Sequence, residues 1–500
     1  MERERSLALG AENDMSKRHW YGATGSHACA AALVVLAFAS AGAQTRHPLP
    51  GQAGSPNVHM VAHIPLGGYL RVSDIDIEQE MARPYAYVSR GIYQPTGFTI
   101  ISVKDIGKEK AKVIYTWNIE NPELHKGLGA LRGRYFKTHG RYYFVQCFQF
   151  SQGSPDADLG AIVFDVTGLP DSTKVKEVAR IHVPDAPGGF HNIYTYKHSD
   201  GRVLLFTSTS AKSYAQIYDM DKLLAGAPNQ GLVGRITNPH QLAQNDHSIV
   251  GSFHDYWVGY DAATHQDKFY GAGRGGYYIF DVTRPEEPKL ITSITGTMGV
   301  LSGHTITPSP DGRYAVTETE YQFAPLRIFD LTPALEGKAQ TISQPIGAWT
   351  ADWRNLPHNH EVRWPYVFVS AYEDGFQVFD MSDPKDPYTI GYYHTYDGPH
   401  MAGCCSREYI ADPSSDPRDH GVANGAWGVQ VRDADGLVVI SDMTTGFWAF
   451  YLDGFDSWNG HDWGMPNIST AQDWENGPEG VPKAAGTAAK QKSTAAKKAP

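Results

Sequence analysis

Charge and cysteine are both scarce in this chain of 500 residues: Asp, Glu, Lys and Arg make up 19% of it, and it has four cysteines. The formal net charge is -11, so there is no basic surface for a nucleic-acid backbone to find, and nucleic acid is excluded as a partner. Long apolar runs are missing as well. Beyond a short N-terminal stretch nothing approaches 18 consecutive apolar residues, and no transmembrane segment is expected in the mature chain. The local signatures of common enzymes are absent too: there is no G-x-S-x-G, H-E-x-x-H, C-x-x-C or EF-hand loop. The Gly-rich "GAGRGG" (271–276) leads into a strand pattern rather than a helix, which removes a nucleotide cofactor.

What the chain does have is Gly (51), Pro (31) and 12% aromatic residues, a balance that suits a turn-rich all-β protein. Residues 1–43 read as a signal peptide. A polar lead with Lys17, Arg18 and His19 precedes "ACAAALVVLAFASAGA", which ends in the A-x-A form Ala41-Gly42-Ala43. Met15 is an alternative start, and the expected destination is the periplasm or the medium. Cys29 leaves with that segment, and three cysteines remain, an odd number for an exported protein. Cys147, in "YYFVQCFQF", reads as core. The adjacent Cys404 and Cys405 could bridge only in a strained, easily reduced form. Residues 466–500 end in "KAAGTAAKQKSTAAKKAP" and read as a disordered tail.

Self-similarity organises the rest. A phrase of apolar residues, Asp, an apolar residue and often Thr or Ser appears as "AIVFDVT", "AQIYDMD", "YYIFDVT", "LRIFDLT" and "FQVFDMS", flanked by degenerate copies "FTIISVK" and "FWAFYLD". Aligning Ser102, Asp165, Asp219, Asp281, Asp330, Asp380 and Tyr451 leaves gaps of 49 to 71 residues, each long enough for the four strands of one propeller blade. Turns such as "SDGRVLLF", "PDGRYAVT" and "ADGLVVIS" mark the first hairpin of a blade. The equivalent "THGRYYFV" demotes His139 to a solvated turn residue. The fold expected is an all-β, seven-bladed β-propeller over residues 55–465, whose last blade is completed by the N-terminal stretch "NVHMVAHIPL" so that no edge stays open.

The V-F-D-V-S-D-P type of phrase, as in "FDMSDPKDP", resembles the LVIVD-repeat family of exported bacterial propellers over roughly residues 85 to 453. That resemblance implies the fold; the family name describes a repeat and not a reaction.

Four histidines stand ahead of the hairpin turns at one place in the repeat. His191, His254, His304 and His360 precede the repeat Asp by 28, 27, 26 and 20 residues. In WD-repeat propellers a structural His stands further from a similar turn, across a loop. Here His304 is seven residues before Asp311 and His191 nine before Asp200, about one strand's length, which puts the His on or at the start of the strand lining the channel. His358 shares a strand face with His360, so either could serve. The residues that follow, Asn192, Asp255, Thr305 and Glu361, are expected to point away from the channel. Blade 1 offers Asp74 and Asp76 at the corresponding place, and blade 7 offers Asn424 and Trp427.

Several imidazoles meeting at one point are a metal signature. The placement is similar to that in the carotenoid-cleaving oxygenases, which hold iron on four His, and in the selenium-binding protein and methanethiol oxidase group, whose cluster is associated with copper. It implies a transition metal (copper, iron or zinc); the alternative is a polar channel lining. His125 is an additional candidate from a blade 2 loop. A thirty-residue stretch without strand pattern adds His400, Cys404, Cys405, Arg407 and His420 as residues of a cover over the same mouth. The function expected is a metal-dependent oxidoreductase acting on a small molecule. The alternative is a non-catalytic binding propeller of the cell envelope, taking a small molecule or a peptide on that face. A hydrolase ranks third, because no nucleophile is paired with these His.

Overall fold

The repeat Asp ends the third strand of its blade. In a computed structural model, which describes residues 53–477 except 69, 92–95, 210–211, 241–252, 322–323, 352–356, 397–423, 464–471 and 476, the strands Leu159–Asp165, Tyr214–Asp219, Gly276–Asp281, Leu326–Asp330 and Phe376–Asp380 all stop at it. Its carboxylate then accepts a backbone N–H two or three residues on: Thr167 at 3.0 Å, Lys222 at 3.1 Å, Thr283 at 2.9 Å, Thr332 at 2.9 Å and Ser382 at 2.7 Å. Asp hydrogen-bonding its own backbone in this way competes with the sheet ladder and turns the chain out of it.

Seven small antiparallel sheets follow in chain order. Their innermost strands are Ile75–Ile77, Gly133–Thr138, Asn192–Lys197, Phe253–Asp261, Thr305–Pro308, Asn359–Arg363 and Ala426–Arg432, in blades 1 to 7. The architecture is therefore the expected seven-bladed β-propeller. Blade 7 takes its outermost strand from the N-terminal side: Val58–Ile64 runs antiparallel to Gly446–Leu452, with Val58 opposite Leu452 and Ile64 opposite Phe447. Blade 4 gains a short fifth strand, Thr341–Ile342, lying parallel to Lys289–Thr295. Neighbouring blades are held by aromatic contacts such as Phe98 against Phe144 and Phe164, each at 4.8 Å, and full burial of one such ring is worth roughly 1.5–3 kcal/mol.

The first hairpin of a blade turns through a glycine with positive φ, for example Gly201 at 92° and Gly312 at 67°, a conformation that suits glycine. In blade 2 His139 shares that turn at φ 49°, and its side chain is 79% exposed. Gln472 and Trp474 fall in the range expected to be a disordered tail, yet both are buried. A buried Trp gains enough area to order a short segment.

The channel is filled. Arg132 pairs with Asp74 and with Asp255 (3.1 Å), Arg134 with Asp76 (3.5 Å), and Arg363 with Glu361 (3.1 Å) and Asp433 (2.5 Å). The cavity left among these layers is about 20 Å³, room for about one water. Among the described residues these layers of paired side chains separate the two mouths.

Candidate metal centre

His191, His304 and His358 each stand one residue ahead of an innermost strand, in blades 3, 5 and 6. Each donates its backbone N–H to the carbonyl that ends the blade's second strand: Ser208 at 2.9 Å, Glu318 at 2.9 Å and Ser370 at 2.8 Å. The three are thus in one register. His254 is the second residue of Phe253–Asp261, where the pairing with Gln266–Gly273 slips between Phe253 and Tyr256. That bulge supplies the extra residue that brings His254 into line. Ring centroids run His191 to His254 at 4.1 Å, His254 to His304 at 4.2 Å, and His304 to His358 at 4.7 Å.

The fourth ring is therefore His358 and not His360. Two residues along a strand is about 6.6 Å, so sharing a face with His358 carries His360 one layer deeper. There it is buried, with its Nε2 on the Val316 carbonyl at 3.1 Å, among the residues lining the small central cavity.

Every one of the four rings is held through Nδ1. That atom meets Gln149 Oε1 at 2.6 Å in His191, Asp255 Oδ1 at 3.1 Å in His254, Glu318 Oε2 at 2.5 Å in His304 and the Trp427 carbonyl at 2.8 Å in His358. An acceptor at Nδ1 keeps a proton there, so that in the neutral ring Nε2 is the atom with a lone pair for a ligand. Asp255 and Thr305 depart from the expectation that residues after the His point away. The bulge turns Asp255 onto its neighbour, and the Thr305 hydroxyl meets His304 Nδ1 at 2.9 Å. Asn192 and Glu361 are engaged elsewhere, on Ile193 N–H and on Arg363.

Glu320 completes the cluster. Its carboxylate lies 3.2 Å from His304 Nε2 and 3.9 Å from His358 Nε2, and accepts from the Tyr372 hydroxyl at 2.5 Å. The contact with His304 is close but misaligned, and His304 Nε2 is buried without a hydrogen bond. Glu320 and Tyr372 both hold positive φ, 47° and 41°; non-glycine residues seldom adopt this conformation, and it concentrates at functional sites.

The electrostatics follow the geometry. Burial, then the neighbouring His254, holds His191 well below the usual imidazole range, and burial with His304 pushes His358 down to about 4. Both are neutral at neutral pH, as ligands must be. Burial would lower His304 also, but Glu318 and Glu320 outweigh it and lift it to about 10. Glu318 is raised by burial to about 7. Glu320 is drawn down against burial to about 2 by His304 and His358. With His304 protonated and Glu318 only part ionised, the trio of His304, Glu318 and Glu320 is close to neutral, and a metal at His304 Nε2 would have to displace that ring's second proton. Two sets of donor atoms lie within 4.8 Å of one another: His191, His254 and Asp255; and His254, His304 and Glu320. An imidazole-rich set with an orphaned buried Nε2 fits a transition metal better than a hard, oxygen-seeking cation.

Other expected residues fall elsewhere. His125 sits against Phe150, with Nδ1 on the Asn121 carbonyl at 2.9 Å and Nε2 on Asp156 at 2.7 Å. Asp74 lies one layer below the His and Asp76 deeper still, on Arg132 and Arg134. Asn424 caps Gly425 and Thr444. Trp427 stands in the His register of blade 7, its ring 4.6 Å from His358. Cys147 is core, and burial pushes its thiol up to about 12. His400, Cys404, Cys405, Arg407 and His420 lie outside the described residues.

Glu318, Glu320, Gln149 and Tyr372 were not foreseen. One signal was available: where blades 3 and 6 end their second strand with Ser208 and Ser370, and blades 1 and 7 carry Ser89 and Ser441 one residue before the end of theirs, blade 5 places Glu318.

No protein-family model matches this chain, and no curated protein matches it. The likeness to LVIVD-repeat propellers thus rests on the repeat phrases, and the structure carries its fold.

Proposed function

We propose that the protein is an exported metalloprotein that holds one transition metal, copper, iron or zinc, on His191, His254, His304 and His358 and acts as an oxidoreductase on a small molecule at that mouth. The supporting observation is that four imidazoles from four successive blades are each tied by Nδ1 to a separate acceptor, with Nε2 left over. Copper or iron bound there would supply one-electron and oxygen chemistry. The chain's own part is orientation. Gln149, Asp255, Glu318 and the Trp427 carbonyl fix the ring planes, and Tyr372 aims the Glu320 carboxylate at the Nε2 side of His304 and His358.

Metal analysis of the purified full chain tests this reading. About one equivalent is expected in the parent and little in His254→Ala or His304→Ala. His358→Ala should lose metal while His360→Ala keeps it. A parent without metal, or ring variants that retain it, would leave a non-catalytic binding propeller as the better account.

A further inference from the structure

The innermost strands start at the histidine mouth, so their carboxyl ends open on the other one. That second mouth holds a cavity of about 540 Å³. The layers of Arg132, Arg134 and Arg363 with their carboxylates stand between the two, so a molecule bound at one does not reach the other. Six residues give the cavity its chemistry: Glu80 from blade 1, Tyr135 and Lys137 from blade 2, Asp433 from blade 7, and Trp458 and Trp474 from the chain after blade 7.

Both indoles are buried, at 8% and 7% exposure, and they differ in how their N–H is used. Trp458 donates to the Trp364 carbonyl at 3.0 Å and is spoken for. Trp474 stands edge-on to Tyr135 at 6.0 Å, and its Nε1–H faces the Tyr135 hydroxyl without the alignment of a full hydrogen bond. The Tyr135 hydroxyl beside it already accepts from Gln79 N–H at 3.1 Å. A buried indole N–H left in this state costs stability unless something accepts from it. Asp433 takes Arg363 through Oδ1, which leaves Oδ2. Glu80 takes Lys137 at 3.2 Å and the Tyr142 hydroxyl at 2.6 Å. The lining carries four carboxylates, Glu80, Asp433, Asp473 and Glu475, against the single ammonium of Lys137, a balance that turns anions away.

We infer that this second mouth is a binding site for a neutral saccharide. A sugar ring presents an apolar C–H face to an indole and, at its edge, hydroxyls that both accept and donate. A weakly held indole N–H, a half-used carboxylate and aromatic walls are the complement of that edge and face. The site is independent of the metal reading.

The test uses the full chain with cellotriose, maltotriose and fully N-acetylated chitotriose as probes and choline chloride as a cationic control, followed by calorimetry and tryptophan emission. At least one trisaccharide should bind at millimolar concentration or tighter and shift the emission. Trp474→Phe, which keeps a ring but removes the N–H, should weaken it roughly three- to tenfold, the worth of one hydrogen bond. Asp433→Asn offers an independent variant, and His254→Ala should leave sugar binding as it is. The inference fails if no trisaccharide binds at about 10 mM, where even a dissociation constant near 1 mM gives near saturation. It fails equally if Trp474→Phe and Asp433→Asn bind as the parent does, or if choline binds and the sugars do not.

Discussion

The histidine mouth has two sides built on one backbone register. Blades 3 to 6 supply His191, His254, His304 and His358. At the same level blades 7 and 1 supply Trp427 and Ser73, and one layer down stand Asp74 and Arg132. On the second side the polar groups consume one another: the buried Arg132 guanidinium is claimed by Asp74 and by Asp255 at 3.1 Å, which raise its pKa despite burial. On the first side each ring has one nitrogen satisfied within the protein and one left. Register alone does not make a site; what separates the sides is whether the last donor or acceptor finds its partner inside the chain.

The largest effect should come from breaking the self-satisfied side. Arg132→Leu leaves Asp74 and Asp255 buried without their cation, and a loss of about 3–5 kcal/mol is expected from denaturant midpoints at unchanged slope. A loss below about 1 kcal/mol would mean that the pairing contributes little and the two sides are energetically alike. A smaller effect should sharpen differences within the histidine side. Glu318→Gln should lower metal affinity roughly 10–100-fold in a competition titration, because a carboxylate on Nδ1 strengthens the ring as a ligand. Gln149→Leu, which removes a neutral acceptor from His191, should lie at or below the bottom of that range; equal losses would show that the acceptor's charge is irrelevant. The smallest change belongs to a histidine outside both sides. His139→Ala should stay within about 0.5 kcal/mol of the parent and keep its metal.

The blades were legible because their signals are local. Asp380 speaks through a backbone N–H two residues on, and the turn at Gly312 through its own φ, so neither depends on distant chain. Three of the four rings were legible for the same reason. His358 was confused with His360 because alternation gives a face and not a depth, and depth is set by where the strand begins. Asp255 was misassigned because the bulge between Phe253 and Tyr256 is a property of pairing with Gln266–Gly273, which the strand's own residues do not announce. Glu320 and Tyr372 come from different blades and meet only once the propeller is closed. The second mouth was hidden further still, since Trp474 lies in a stretch whose composition reads as unstructured.

The strand exchange in blade 7 also sets an order of events. His59 reaches Asp453 across 394 positions of sequence, so the strand Val58–Ile64 leaves the ribosome about 20–80 s before its partner exists, at 5–20 residues per second. Through that interval it is an unpaired strand of mixed polarity. The ring can shut only when blade 7 arrives, through a contact between residues made 394 positions apart. On the proposed function, metal capture should therefore follow closure of the circle.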